Sequence, residues 1–154
     1  MPPIEYLALF SDSIIYLSIL FIPFYLWGND RKKLLLYVIC ISINLGVVYF
    51  LKTIIAVPRP PFALISIPST PSFPSMHASL GMLPAGFFFY NRKYRVLLLI
   101  YGILIAYSRV LLGVHYWIDI VVGASIGFVV PILIFYRKEK IYRVFGLSKH
   151  LKKK

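Results

Sequence analysis

Five long apolar segments constrain the fold of this chain more than any other feature of its sequence. They cover residues 4–27, 34–51, 75–90, 96–112 and 117–136. A helix that crosses a bilayer needs about 20 apolar residues, and each segment approaches that length, although the third is short. In lipid, backbone N–H and C=O groups must be bonded within the protein, which favours helices. We therefore predict an all-α polytopic membrane helix bundle with about five transmembrane helices.

The length and composition fit a single membrane domain. The chain has 154 residues, 60% of them hydrophobic, and a mean hydropathy of +0.81. These values favour a bilayer-embedded domain at residues 1–136 and a basic tail at residues 137–154. The first apolar segment has no positive region before it and is long, so we expect a retained helix rather than a cleaved signal peptide. The single cysteine, Cys40, leaves no partner for an intrachain disulfide.

The cations are divided unevenly between the two ends of the predicted bundle. If alternate loops share a side, one side has fourteen cations, namely Arg31, Lys32, Lys33, Arg92, Lys93, Arg95 and the eight of residues 137–154. The other side has three: Lys52, Arg59 and Arg109. By the positive-inside rule the first side is cytoplasmic, so the amino terminus is outside and the carboxyl terminus is inside. We thus predict a multi-pass protein of the cell membrane, with three extracytoplasmic cations that topology alone does not explain.

The basic tail is predicted to lie on the membrane. Ile141, Val144, Phe145 and Leu151 are interspersed with lysines and arginines, a pattern typical of a short amphipathic helix on an anionic inner leaflet. The formal charge of +12 could favour nucleic acid in a soluble protein. Here most cations flank apolar segments, so we expect the bilayer and not nucleic acid as the partner.

A proline-rich stretch from Lys52 to His77 is the only long interruption of the apolar segments. It contains six of the eleven prolines, between Pro58 and Pro74. Prolines on both sides of Arg59 exclude a helix there and fix the backbone that carries its guanidinium. Its apolar side chains could dip into the interface and form one wall of a path for a lipid: Phe62, Leu64, Ile65, Ile67 and Phe73.

Three short patterns carry groups suited to phosphoryl transfer. They are Lys52 with Arg59-Pro60, then Pro74-Ser75-Met76-His77, then Ser108-Arg109 with His115 and Asp119. Phosphoryl transfer needs cations for the non-bridging oxygens, an in-line nucleophile and an acid for the leaving oxygen. Lys52, Arg59 and Arg109 can supply the charge, and the arginine fork suits two oxygens at once.

The two histidines of these patterns suit different roles. His115 and Asp119 are four residues apart at the start of a helix, so the carboxylate can set the tautomer and leave the other ring nitrogen free to attack phosphorus. Ser75 is a good helix N-cap, where a phosphate would also meet free backbone N–H groups. His77, just after it, fits a general acid that later activates water.

In their order and spacing, these patterns resemble the three signature motifs of the type 2 phosphatidic acid phosphatase superfamily, the metal-independent lipid phosphate phosphatases. The motif region covers residues 52–119 within the predicted phosphatase domain at 1–136. The resemblance implies a phosphohistidine at His115, Asp119 as its orienting partner, His77 as acid and base, and no cofactor. It implies a lipid phosphate substrate: a polyprenyl phosphate or diphosphate, phosphatidate or phosphatidylglycerophosphate. Met76 stands where the family often has glycine, and many bacterial members have six spans.

Several alternatives remain open at the level of sequence. His115 and Asp119 could bind a metal, although three nearby cations disfavour it. The phosphoryl group could be transferred to an acceptor other than water, and a non-enzymatic lipid or anion transporter could use the same cations as a binding station. Asp12 is predicted to lie at a solvated helix end rather than to face the pocket.

Overall fold

The computed structural model describes residues 3–66 and 69–147. These residues form six helices and no strand: α1 (Pro3–Asn29), α2 (Arg31–Ile55), α3 (Met76–Phe87), α4 (Arg92–Leu111), α5 (Trp117–Tyr136) and α6 (Lys138–Val144). The prediction of an all-α bundle is confirmed.

Four helices in the described residues are long and apolar enough to cross a membrane: α1 over Ala8–Leu26, α2, α4 and α5. Their outward side chains are largely apolar, as a lipid-facing surface requires; in α1, Phe10, Leu20 and Phe24 are each more than 60% exposed. The third predicted span, at residues 75–90, is instead a helix of 12 residues, α3. At about 1.5 Å per residue it is too short to span the roughly 30 Å hydrocarbon core.

The short helix α3 is enclosed by the other helices. Nine of its 12 residues are buried, and it packs mainly against α5 and α4. Two glycines one turn apart, Gly123 and Gly127, allow α5 to approach it closely. A Cβ atom at Gly123 would clash with the carbonyl oxygen of Ser75, and one at Gly127 with that of Ser79. This small-residue spacing is typical of close helix pairs in membranes.

Two contacts with α2 fix the position of α3 along the bundle. Ser79 donates a hydrogen bond to the buried Asn44 of α2 at 2.7 Å, which links the two helices. At the far end of α3, Phe87 packs edge-to-face on Tyr37, with ring centroids 4.9 Å apart. They belong to an apolar cluster with Leu26, Leu36, Cys40, Leu83 and Ile134. The amino terminus of α3 is thereby held at the opposite end of the bundle.

The described part of the tail forms the short helix α6. Ile141 packs against the apolar cluster of α2, α3 and α5, while Val144 is 77% exposed. The structure describes the predicted amphipathic segment as far as residue 147, and Leu151 lies outside the described residues.

Candidate active site

The loop between α2 and α3 is anchored by the last turn of α2. Lys52 lies in that turn, is buried, and donates from Nζ to the carbonyl oxygens of Pro71 at 2.6 Å and Ser72 at 3.1 Å. The helix then ends at Ala56, whose left-handed conformation turns the chain away. Lys52 thus fixes the segment that leads into α3, and its predicted contact with phosphate remains a prediction.

Arg59 reaches from the same loop to the nucleophile candidate. Its Nε donates to the carbonyl oxygen of Thr70 at 2.9 Å, and Nη2 donates to the Thr70 hydroxyl at 3.2 Å. Its Nη1 donates to the carbonyl oxygen of Val114 at 2.9 Å and lies 3.2 Å from Nε2 of His115. The guanidinium is therefore held in place with one edge against the imidazole.

His115 and Asp119 form a buried pair at the start of α5. His115 Nδ1 lies 3.2 Å from Asp119 Oδ2, and the pair is almost completely shielded from solvent. The same oxygen accepts from the Tyr116 backbone N–H at 2.9 Å and from the Ser72 hydroxyl at 2.7 Å. A carboxylate at Nδ1 favours the tautomer with its proton there, which leaves a lone pair on Nε2.

The surroundings of His115 favour its neutral form. Burial, followed by the charge of Arg59, lowers the pKa of His115 below the ordinary value, and Asp119 opposes both. The imidazole is therefore uncharged at neutral pH, as a nitrogen nucleophile must be.

His77 and Arg109 meet at a carboxylate that the sequence analysis assigned to solvent. Asp12 Oδ1 lies 2.9 Å from Arg109 Nη2 and 3.1 Å from His77 Nε2. The prediction of a solvated helix end was wrong. Asp12 is nine residues into α1, about 13 Å along the helix, and it points at the neighbouring helices because a charge at that depth needs a partner.

Ser75 caps α3, as predicted. Its hydroxyl accepts from the Ala78 N–H at 3.4 Å, and its own N–H donates to the backbone carbonyl oxygen of Asp119 at 2.9 Å. The first bond orders the turn that carries His77, and the second ties this turn to α5. The predicted contact of Ser75 with a phosphate remains a prediction.

The predicted site residues come together in two groups at one end of the bundle. One group contains Arg59, His115 and Asp119, and the other contains His77 and Arg109 with Asp12. The charge of Arg59 acts on both histidines and on Arg109, so the groups share one electrostatic environment. Lys52 joins the first group through the backbone it holds.

The loop closes over this end through backbone contacts. Leu64 N–H donates to the Leu112 carbonyl oxygen at 3.0 Å, and Gly113 has a positive φ of 69° where a side chain would meet the Phe62 carbonyl oxygen. Ile65 packs against the buried Ala8, Leu112 and Val114. Five apolar side chains of this loop are predicted to face lipid. Phe62 is 88% and Leu64 57% exposed, whereas Phe73 is half-buried and Ile65 supports the loop. Ile67 lies outside the described residues.

Sequence reasoning missed two polar contributors, Asp12 and Ser72. Asp12 could have been found from its depth, because a charge inside a spanning helix faces the bundle interior. No comparable signal marks Ser72, since serines are frequent in loops and its hydrogen bond to Asp119 joins residues 47 positions apart.

The metal alternative rests on the His115–Asp119 pair alone. Among the residues that the structure describes, no three His, Cys, Asp or Glu side chains are grouped as metal ligands. The cations Lys52 and Arg59 act on His115 from nearby.

Comparison with known proteins gives a consistent result. The profile of the PAP2 superfamily matches residues 32–143. Undecaprenyl-diphosphatase BcrC of Bacillus subtilis is 28% identical over 141 residues, covering 86% of this chain and 72% of that protein. The crystal structure of Aquifex aeolicus LpxE superposes with a TM-score of 0.74 at 26% identity, covering 88% of each chain. A PAP2-type phosphatidylglycerolphosphate phosphatase of Bacillus subtilis shares the fold, with a TM-score of 0.75 at 24% identity over 93% of this chain and 81% of that one.

Proposed function

This chain belongs to the PAP2 superfamily, and on that premise we propose that it hydrolyses a polyprenyl phosphate or diphosphate through a phosphohistidine at His115. It is a multi-pass membrane enzyme, a lipid phosphatase. The observation that carries the proposed chemistry is the buried His115–Asp119 pair, whose other ring nitrogen lies 3.2 Å from a fixed arginine.

The substrate phosphate is held by cations in this scheme. Arg59 already lies at the Nε2 side of His115, so a phosphate oxygen bound to its guanidinium would place phosphorus next to the lone pair. Arg109 binds the phosphate from its other side, and Lys52 contributes a further positive charge nearby. The amino terminus of α3 contributes backbone N–H groups and the positive end of the helix dipole.

The reaction then proceeds in two displacements. Nε2 of His115 attacks phosphorus, the bond to the leaving oxygen breaks, and His77 gives its proton to that oxygen. Asp119 stabilises the cationic imidazole that forms at His115. In the second step His77 takes a proton from water, and the resulting hydroxide displaces phosphate from His115.

The lipid class is inferred from a named relative and from the apolar side chains beside the site. The Bacillus subtilis relative is named as an undecaprenyl-diphosphatase. The loop between α2 and α3 exposes the apolar Phe62 and Leu64 beside the site, which suits a long hydrocarbon chain arriving from the bilayer. These features favour a carrier lipid over phosphatidate.

We infer that the site faces the extracytoplasmic side of the cell membrane. The loops that hold the catalytic groups share one end of the bundle. They are joined there by the hydrogen bond from Arg59 to the carbonyl oxygen of Val114. The cationic loops share the other end, where Lys33 and Arg92 line one pocket and Lys32 lies over the ring of Tyr142 in α6. The positive-inside rule assigns the second end to the cytoplasm.

The decisive experiment is phosphate release by the purified protein in detergent with EDTA. Polyprenyl diphosphate, polyprenyl phosphate and phosphatidate are compared for the natural chain and for His115→Ala, with His150→Ala of the tail as the matched histidine control. We expect release from the polyprenyl substrates, its loss in His115→Ala and its retention in the control. Release that survives His115→Ala would refute the nucleophile assignment, and failure to release phosphate from any lipid would favour the transporter.

A further inference from the structure

Asp12 of α1 contacts both His77 and Arg109. A single oxygen, Oδ1, lies 2.9 Å from Arg109 and 3.1 Å from His77. The Arg109 side chain is only 3% exposed, whereas those of His77 and Asp12 are 34% and 38% exposed. The carboxylate thus lies between a buried cation and a histidine that substrate can reach.

The charged groups around His77 oppose one another. Burial, and then the charges of Arg109 and Arg59, lower the pKa of His77. Asp12 is the group that raises it, through its charge and its direct contact. With Asp12 in place the pKa of His77 still lies below its ordinary value, at about 4. Among the described groups that act on His77, Asp12 is the one that favours the imidazolium that a general acid requires.

We propose that Asp12 is a positioning residue that orients the imidazole of His77 for proton transfer to the leaving oxygen, favours its protonation there, and holds Arg109 toward the phosphate. This inference rests on the proposed function of the site. It gives each histidine its own carboxylate: Asp119 orients His115 through Nδ1, and Asp12 orients His77 through Nε2. Asp119 lies in α5, and Asp12 lies in α1.

The first test does not depend on activity. The chain has three histidines, so ¹⁵N-histidine NMR in detergent can follow each ring through a pH titration. In Asp12→Asn, we expect the pKa of His77 to fall by about one pH unit or more, because an opposite charge in contact is worth at least that much. The pKa of His115 should stay in place. Asp30→Asn, which retains a good N-cap at the other end of the bundle, is the matched control and should shift neither.

The second test uses kinetics. A general acid must be protonated, so activity falls as pH rises through its pKa, and removal of Asp12 should move this basic limb of kcat to lower pH. At pH 7.5 we expect kcat of Asp12→Asn on a polyprenyl monophosphate to fall about tenfold for each pH unit lost. The loss should be much smaller on p-nitrophenyl phosphate, whose leaving group needs little protonation. Asp12→Glu should restore part of the activity and of the limb.

Each outcome decides between two accounts. An unchanged His77 titration, or an equal loss on both substrates without movement of the basic limb, would show that Asp12 only supports packing. A lower KM with unchanged kcat would show that Asp12 competes with phosphate for Arg109, and would overturn the inference as well. If the NMR shift is found in a chain that releases no phosphate from any substrate, the pairing stands and the proposed phosphatase function fails.

Discussion

At the scale of single residues, the proposed nucleophile His115 depends on how Asp119 is held. Its Oδ2 accepts from Ser72 of the loop between α2 and α3, and from the Tyr116 backbone and His115 of the loop before α5. These contacts fix the carboxylate without solvent, so the imidazole has one available orientation. A hydrogen bond to a charged, buried acceptor contributes about 1.5–3 kcal/mol, more than a neutral one.

Ser72→Ala should therefore lower catalysis although Ser72 carries none of the chemistry. Loss of about 1.5–3 kcal/mol of support to Asp119 predicts a fall in kcat of roughly ten- to hundredfold. KM should change little, because the Ser72 hydroxyl faces the carboxylate rather than the phosphate. Steady-state kinetics on a soluble short-chain lipid phosphate measure both constants.

Ser125→Ala is the matched control for this prediction. Its hydroxyl donates to the carbonyl oxygen of Val121 within α5 at an exposed position, so its removal should leave kcat unaltered. Equal activities of the two variants would contradict the role assigned to Ser72.

The motif residues could be predicted from sequence because their types and spacing follow from the chemistry. A histidine and an acid four residues apart at a helix start must lie close, and His115 and Asp119 do. Asp12 and Ser72 could not be placed with confidence, because their partners are 97 and 47 positions away and depend on how the helices pack.

At the scale of helices, α3 sets the geometry of the site. Its amino terminus carries Ser75 and His77, and its close contact with α5 brings Ser75 to the backbone of Asp119. The contact depends on Gly123 and Gly127, where no side chain fits. Small movements of α3 therefore separate the acid from the nucleophile.

Gly127→Ala should push α3 away from α5. Overpacking a close helix pair costs about 1–3 kcal/mol, so we expect a lower midpoint of thermal unfolding in detergent together with a larger loss of activity. Circular dichroism and phosphate release measure the two effects.

Gly46→Ala provides the comparison in α2, because a Cβ atom there meets nothing within 4 Å. Alanine is about 1 kcal/mol better than glycine within a helix, so this variant should be as stable as the natural chain or more so. A Gly127→Ala protein with the stability and activity of Gly46→Ala would contradict the close-packing account.

Hydropathy predicted the existence of the helices better than their ends. The second segment was predicted at residues 34–51, but α2 runs from Arg31 to Ile55, because Asp30 caps it and charged residues at its ends do not interrupt a helix. The third was predicted to residue 90, yet α3 ends at Phe87. An apolar run shows which residues lie within the bilayer, whereas the ends of a helix depend on its caps and turns.

At the scale of the whole molecule, the charge asymmetry and the position of the site give one orientation. Cationic loops occupy one end and the proposed catalytic groups the other, which predicts a site that faces away from the cytoplasm. This arrangement suits hydrolysis of a lipid phosphate that is presented at the outer surface.

Cysteine labelling in intact cells tests this orientation. In a Cys40→Ala background, a cysteine replacing the exposed Phe62 should react with a membrane-impermeant maleimide. A cysteine replacing Glu139 of α6 should react only after the membrane is permeabilised. The reverse pattern would place the site in the cytoplasm.

The central claim is that phosphate passes through His115, and trapping the intermediate tests it most directly. The protein is mixed with ³²P-labelled polyprenyl phosphate in EDTA, quenched in alkaline detergent and digested for mass spectrometry, beside Asp12→Asn and His115→Ala. We predict an alkali-stable, acid-labile label on the peptide that contains His115 and none in His115→Ala. Turnover without any label at His115, or a label on another residue that persists in His115→Ala, would contradict the account.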